Sequence, residues 1–220
     1  VGLARIAMSE QQQEQAATLL NQALKLEPDN LDALLTKSQL LTSQEQFKAA
    51  ISPLDRAIKI NPLLQSARMM RSELYIRTDQ IDKALDETNI LLKQNPNNGL
   101  AYFTLSRLQL NAQQYTQAQT SAEKALRALP DHLMTHFILG AVHYAQQNFE
   151  QAQLYLEKFV AAQPEHLIAT RLLGAVYLQL QDTESAIELL AGFDNRFHSS
   201  DAPLLNLLGR AYLQAGDYTR

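Results

Sequence analysis

The chain has no cysteine and no tryptophan, and only seven glycines and seven prolines in 220 residues. Without cysteine there is no disulfide and no thiolate metal site, although the compartment stays open. Basic residues do not outnumber acidic ones. The formal net charge is −4, so the chain as a whole carries no electrostatic footprint for nucleic acid. No run of about 18 apolar residues exists to span a membrane, and no signal peptide is visible. P-loop, GxGxxG, GxSxG and HExxH patterns are all missing. No catalytic constellation is legible, so the chain reads as a non-enzyme with no expected cofactor. A chain opening on Val1 and not on methionine is expected to be a fragment of a longer protein.

What is present is hydrophobic residue, 46% of the chain, arranged with helical period. The stretch "AATLLNQALKL" is representative. No strand-like alternation persists, so the chain reads as all helix. Prolines fall at Pro28, Pro62, Pro96, Pro130 and Pro164, each 34 residues after the last. Alanines keep the same step at Ala16, Ala50, Ala84, Ala118, Ala152 and Ala186. A small residue recurs as Ala4, Ser38, Ser72, Ser106, Gly140, Gly174 and Gly209. Tyrosine follows three residues later at Tyr75, Tyr177 and Tyr212, with Leu41, Gln109 and His143 as departures. An aromatic marks the turn between helices at Phe47, Tyr115, Phe149 and Tyr218.

Each slot has a physical reason. Small residues let two helix backbones approach, and Leu20, Leu54, Leu156 and Leu190 fill the space beside them. Proline forces its predecessor out of the helical region, so each second helix must stop there. The "PDN", "PNN", "PDH" and "PEH" segments supply turn and N-cap groups for the next helix. Pro53, inside a second helix, removes a backbone donor and should kink it.

This pattern resembles the tetratricopeptide repeat over the whole chain. The resemblance implies a right-handed superhelical solenoid of about thirteen helices in a single array. Repeats are expected near 1–30, 31–64, 65–98, 99–132, 133–166, 167–201 and 202–220, with the first and last partial. First helices are expected near 31–44, 65–78, 99–112, 133–146, 167–180 and 202–215. Second helices are expected near 13–27, 48–61, 82–95, 116–129, 150–163 and 184–196. Residues 1–9 read as the tail of another first helix. The step from Gly174 to Gly209 is 35 residues, and His198 stands where proline belongs. The stretch "AGFDNRFHSSDAP" therefore reads as an irregular, linker-like joint with a small change in twist. The last helix is expected to offer Leu205, Leu208 and Tyr212 to a neighbour beyond the chain, or to a second copy as a dimer contact.

Histidines cluster in "HLMTHFILGAVHY" at His132, His136 and His143. On a helix these fall within about 40° of one another. Rings at the first and last position lie about 16 Å apart along the axis, too far for shared ligation. The reading is two partly buried structural histidines and a turn histidine, with no metal. The charged runs "DRAIKI" and "DKALDE" read as solvated helix faces.

In the family, first helices line a concave groove. The inward slots then include Arg5; Asp32, Leu35, Gln39 and Thr42; Met69, Glu73, Ile76 and Arg77. Further along come Leu100, Phe103, Arg107 and Leu110; Met134, Phe137, Ala141 and Tyr144; Ile168, Arg171, Ala175 and Leu178; and Arg210. The partner-binding candidates are Met69, Glu73, Arg77, Leu100, Phe103, Arg107, Met134, Phe137, Tyr144, Arg171 and Arg210. Rigid aromatics dominate binding energy, and arginines pair with carboxylates in two-pronged geometry. The expected ligand is thus a peptide or protein segment with apolar anchors and acidic groups, with no nucleic acid. The lysine and asparagine clamp of chaperone-tail binders is absent, since those slots hold Leu35, Gln39, Met69, Glu73, Phe103 and Arg107.

The segments "LGAVHYAQQNFEQAQLYLEKFVAAQPEHLIATRLLGAVYLQL" and "LLNLLGRAYLQAGDYTR" are more specifically similar to bacterial TPR lipoproteins of exosortase and PEP-CTERM sorting systems. That resemblance implies a lipid-anchored envelope scaffold in protein sorting or exopolysaccharide assembly, with a cytoplasmic protein as the alternative. A substrate-recruiting region of a larger enzyme, such as a glycosyltransferase, and a glycan-binding groove are the competing functions. The lack of tryptophan counts against glycan.

Overall fold

The computed structural model describes residues 1–197 and 200–216. Thirteen α-helices cover the described residues. They are α1 (Gly2–Ser9), α2 (Gln13–Leu26), α3 (Leu31–Ser43), α4 (Phe47–Ile60), α5 (Gln65–Arg77), α6 (Ile81–Gln94) and α7 (Gly99–Asn111), then α8 (Tyr115–Ala128), α9 (Leu133–Ala145), α10 (Phe149–Ala162), α11 (Leu167–Gln179), α12 (Thr183–Phe197) and α13 (Ala202–Ala215). Every boundary falls within a residue or so of the 34-residue register. His198 and Tyr218 lie outside the described residues.

Proline placement explains where second helices stop. The residues before the repeat prolines are Glu27, Asn61, Asn95, Leu129 and Gln163. They have φ between −127° and −139° and ψ between 65° and 96°. Their backbones are extended, as the proline ring requires. The next helix is then capped. Asn30 Oδ1 accepts from the Ala33 N–H at 2.9 Å, Asn98 Oδ1 from Ala101 at 3.0 Å and Asp201 Oδ1 from Leu204 at 2.8 Å. In the "PEH" turn a histidine does this work: His166 Nδ1 accepts from the Ala169 N–H at 3.1 Å. The linker-like joint thus ends in ordinary helix-start chemistry, with Asp201 as cap and Pro203 in the first turn of α13.

The turn within each repeat closes differently. Gln11, Glu45, Asp79, Gln113, Gln147 and Gln181 all hold φ between 58° and 64°. The following N–H reaches back five residues, as from Gln80 to the Tyr75 carbonyl at 2.8 Å and from Asn148 to His143 at 2.9 Å. This is a Schellman closure built without glycine, with roughly 1–2 kcal/mol of left-handed strain at each site.

The chain divides into two compact units, Val1–Ala101 and Tyr102–Arg220. In the first, α1 packs on α2, α2 on α3, α3 on α4, α4 on α5 and α5 on α6. In the second, α8 packs on α9, α9 on α10, α10 on α11, α11 on α12 and α12 on α13. The repeat alanines 16, 50, 84, 118, 152 and 186 are all fully buried. Ser38 and Ser72 donate to the carbonyls of Ala50 and Ala84 at 2.8 and 3.2 Å, so the small-residue row touches the alanine row directly. Leu20, Leu54, Leu156 and Leu190 are fully buried beside it. α4 runs through Pro53 to Ile60, and Pro53 is itself buried.

One surface expectation is corrected. Glu87, in "DKALDE", is not solvated but only 6% exposed. Its Oε2 accepts from Arg68 at 2.9 Å, and its Oε1 pairs with Arg71. Arg71 also bonds Asp55 at 2.6 Å, and Arg68 Nε donates to the Pro62 carbonyl at 2.9 Å. Burial works against the Arg71 charge, but the hydrogen bonds to Asp55 and Glu87 outweigh it and raise its pKa. Charge alternation along one helix did not reveal that α5 would lay two arginines over this carboxylate.

Candidate partner-binding face

Equivalent residues recur every 34 positions, so one slot can be followed from repeat to repeat. Phe103, Phe137 and Arg171 share a slot near the start of α7, α9 and α11. Each meets the residue that caps the next first helix. Phe103 lies edge-on to His132, ring centroids 4.6 Å apart. Phe137 packs 5.3 Å from His166 and 5.3 Å from Phe159. Arg171 pairs with Asp201 at 3.3 Å. The two phenylalanines are therefore half-buried, and Phe137 packs onto the core of α10 and α11. Part of each ring serves cohesion between repeats. The register alone could not show this, because it reports a residue's face but not what the next turn lays over it.

The other candidates in the second unit are more open. Met134 and Ile168, each second in its helix and one repeat apart, are 38% and 59% exposed. Arg107 lies over the Phe103 ring at 5.5 Å, and Tyr144 stands edge-on to Phe149 at 5.9 Å. Arg210 is exposed on α13. Leu205 is exposed there too, whereas Leu208 packs partly against Leu190, Phe193 and Leu204. In the first unit, Leu100 is exposed while Met69 and Glu73 are half-buried. Arg77 bonds Glu73 at 3.3 Å and lies 5.2 Å over the Phe47 ring.

The histidine cluster separates into two roles. His132 and His166 sit at helix starts. His136 and His143 are buried on α9 against Tyr155 of α10. The His143 ring is parallel to Tyr155 at 5.5 Å, and His136 lies 6.0 Å from the same ring. Burial lowers the pKa of both, with a small opposing pull from Glu123 on His143. His143 Nδ1 is buried with no hydrogen-bond partner among the described residues. The His143 ring stacked on the phenol and the tilted His136 ring form a packing layer. Among the described residues, no group of three or more His, Asp or Glu side chains is placed to hold a metal. No helix among them is long and apolar enough to cross a membrane.

Comparison with known proteins agrees with this geometry. Tetratricopeptide-repeat family profiles match residues 7–63, 103–155 and 139–196, more than half of the chain. No curated protein matches. Among solved structures, PilF of Pseudomonas aeruginosa superimposes with a TM-score of 0.84 at 14% identity, covering 95% of each chain. PilW, a type IV pilus biogenesis factor, gives 0.81 at 18% identity over 94% of this chain and 96% of its own. YrrB, a TPR protein with an unusual peptide-binding site, gives 0.64 at 16% identity over 85% of this chain and 96% of its own. Period, helix boundaries, buried small-residue rows and profile matches agree, and the chain belongs to the tetratricopeptide-repeat family.

Proposed function

We propose that the chain is a non-catalytic interaction scaffold whose first-helix face binds a protein or peptide segment. The observation that carries this is the exposed apolar pair Met134 and Ile168, repeated at one-repeat spacing beside the half-buried Phe137. Apolar side chains set out in a row and edged by arginine suit a ligand that repeats its anchors along its length. Arg107 and Arg210 supply the cationic groups that an acidic residue of the ligand would meet. The peptide-binding site of YrrB, a fold relative, supports the reading. By resemblance to the envelope lipoproteins, its setting is a lipid-anchored scaffold in surface-protein sorting or exopolysaccharide assembly.

The test is peptide display against the immobilised chain, comparing wild type with a Met134→Glu/Ile168→Glu variant. Both positions face solvent, so helicity by circular dichroism should be unchanged. Selected peptides should lose at least tenfold in affinity for the variant, about 1.4 kcal/mol. Peptides that bind both proteins equally would place the binding face elsewhere. Phe103→Ala and Phe137→Ala are poorer probes, because those rings also hold neighbouring repeats together.

A further inference from the structure

The fifth repeat fills one slot between its helices with a ring, and the sixth leaves the same slot open. In the fifth, Tyr155 lies against both His136 and His143. One repeat later the equivalent residues are Leu189, Thr170 and Tyr177. All three line a cavity of about 350 Å³ formed by the end of α10 with α11 and α12. Leucine is shorter than tyrosine and threonine smaller than histidine, so the volume is what the substitutions leave behind. Gly192, where the fifth repeat has Lys158, stands at its edge, and a Cβ there would meet nothing within 4 Å. The volume lies within the usual range of small-ligand sites, roughly 300–1,000 Å³.

A second observation points to an occupant. Thr170 is completely buried, and its hydroxyl has no hydrogen-bond partner among the described residues. Leaving such a group unpaired is unfavourable, so a ligand that pairs with it gains what folding did not supply. Tyr177 anchors the other wall, with its hydroxyl donating to Glu157 at 2.9 Å.

We propose that this cavity binds a planar aromatic ring carrying a hydrogen-bonding group, a phenol in its simplest form, in the place that Tyr155 occupies one repeat earlier. The ring lies against Tyr177 as Tyr155 lies against His143, and its polar group meets the Thr170 hydroxyl once that side chain turns from its buried position toward the cavity. The ring comes either from a tyrosine of a protein segment or from a free phenolic compound. Thr170 and Ile168 lie about 200° apart around α11, so this site is distinct from the exposed apolar row.

Titration of the ¹⁵N-labelled chain with p-cresol, toluene and a blocked Gly-Tyr-Gly tripeptide tests the site. p-Cresol should shift α11 and α12 amides saturably, with a dissociation constant of about 0.1–1 mM. Toluene, which cannot pair with Thr170, should bind at least about fivefold more weakly. Thr170→Val should bring p-cresol down to that level. Leu189→Tyr supplies the chain's own ring and should abolish binding. Gly192→Leu obstructs the edge from an open position and should do the same even if Leu189→Tyr folds poorly. Met134→Glu/Ile168→Glu should leave p-cresol binding unchanged, so failure here and failure of the peptide face are separable. Tripeptide binding at least as tight as p-cresol identifies a protein segment as the source, whereas p-cresol binding alone identifies a free phenolic. No saturable shift up to about 10 mM p-cresol, or undiminished binding to Gly192→Leu, overturns the proposal.

Discussion

Gly140→Ala should destabilise the chain although alanine is the better helix former. Relative to glycine, alanine in a helix interior gains about 0.5–1 kcal/mol. At Gly140, however, a Cβ would stand 2.5 Å from Leu156 Cγ and 2.8 Å from its Cδ2. Cγ is the branch point of a fully buried side chain and cannot swing aside as a chain end would. Overpacking of this sort costs about 1–3 kcal/mol, so a net loss of about 1–2 kcal/mol is expected. Gly192→Ala is the control. Its Cβ meets nothing within 4 Å, so it should be stabilised by about 0.5–1 kcal/mol. Urea unfolding followed by circular dichroism reads both, as midpoint shifts at constant slope. Leu156→Ala alone should cost about 2–5 kcal/mol. In that background Gly140→Ala should turn stabilising, since the clashing carbons are gone. A Gly140→Ala protein as stable as wild type, or an unchanged sign in the Leu156→Ala background, would refute the close-approach reasoning. At Gly174 a Cβ would stand 2.7 Å from Leu190 Cδ2, so Gly174→Ala should repeat the result.

Three further outcomes follow from the structure. Glu87→Ala should destabilise the first unit by about 3–5 kcal/mol, because it strands Arg68 and Arg71 in the interior, and an exposed-residue cost below 1 kcal/mol would contradict that network. Gln147→Gly should be neutral to stabilising by up to about 1 kcal/mol, since glycine relieves the left-handed strain at φ 64° but loses more chain entropy on folding; a clear loss of stability means another interaction holds that turn. Burial depresses the folded pKa of His136 and His143, so the unfolded chain binds more protons below about pH 6.5. Their stabilisation is complete above that pH and is lost as pH falls toward the depressed values, by at most about 1.4 kcal/mol per pH unit for each. The drop in melting temperature from pH 7 to 5 should therefore be smaller in His143→Tyr, which supplies the tyrosine that the following repeat has at Tyr177, and an equal drop would show that His143 does not titrate with unfolding.

The amino-acid sequence by itself determined the helix boundaries, the family and the interior small-residue rows. These depend on local steric rules and on a period: each repeat proline holds the residue before it extended and so ends the second helix just ahead of it, and a residue 34 places on meets similar neighbours. It also showed which side chains face which way around each helix. Tertiary structure alone decided how much of each face stays open. Phe103 and Phe137 shared a register with truly exposed positions, but the next repeat's cap histidines lie on them. Glu87 looked like surface until α5 brought two arginines across it. The six left-handed turn residues carried no glycine to announce them. The Thr170 cavity required side chains from the end of α10, from α11 and from α12 to meet. Periodicity is a property of one helix, whereas burial, ion pairing and empty volume depend on the side chains of its neighbours, and those are assembled only when the helices stack.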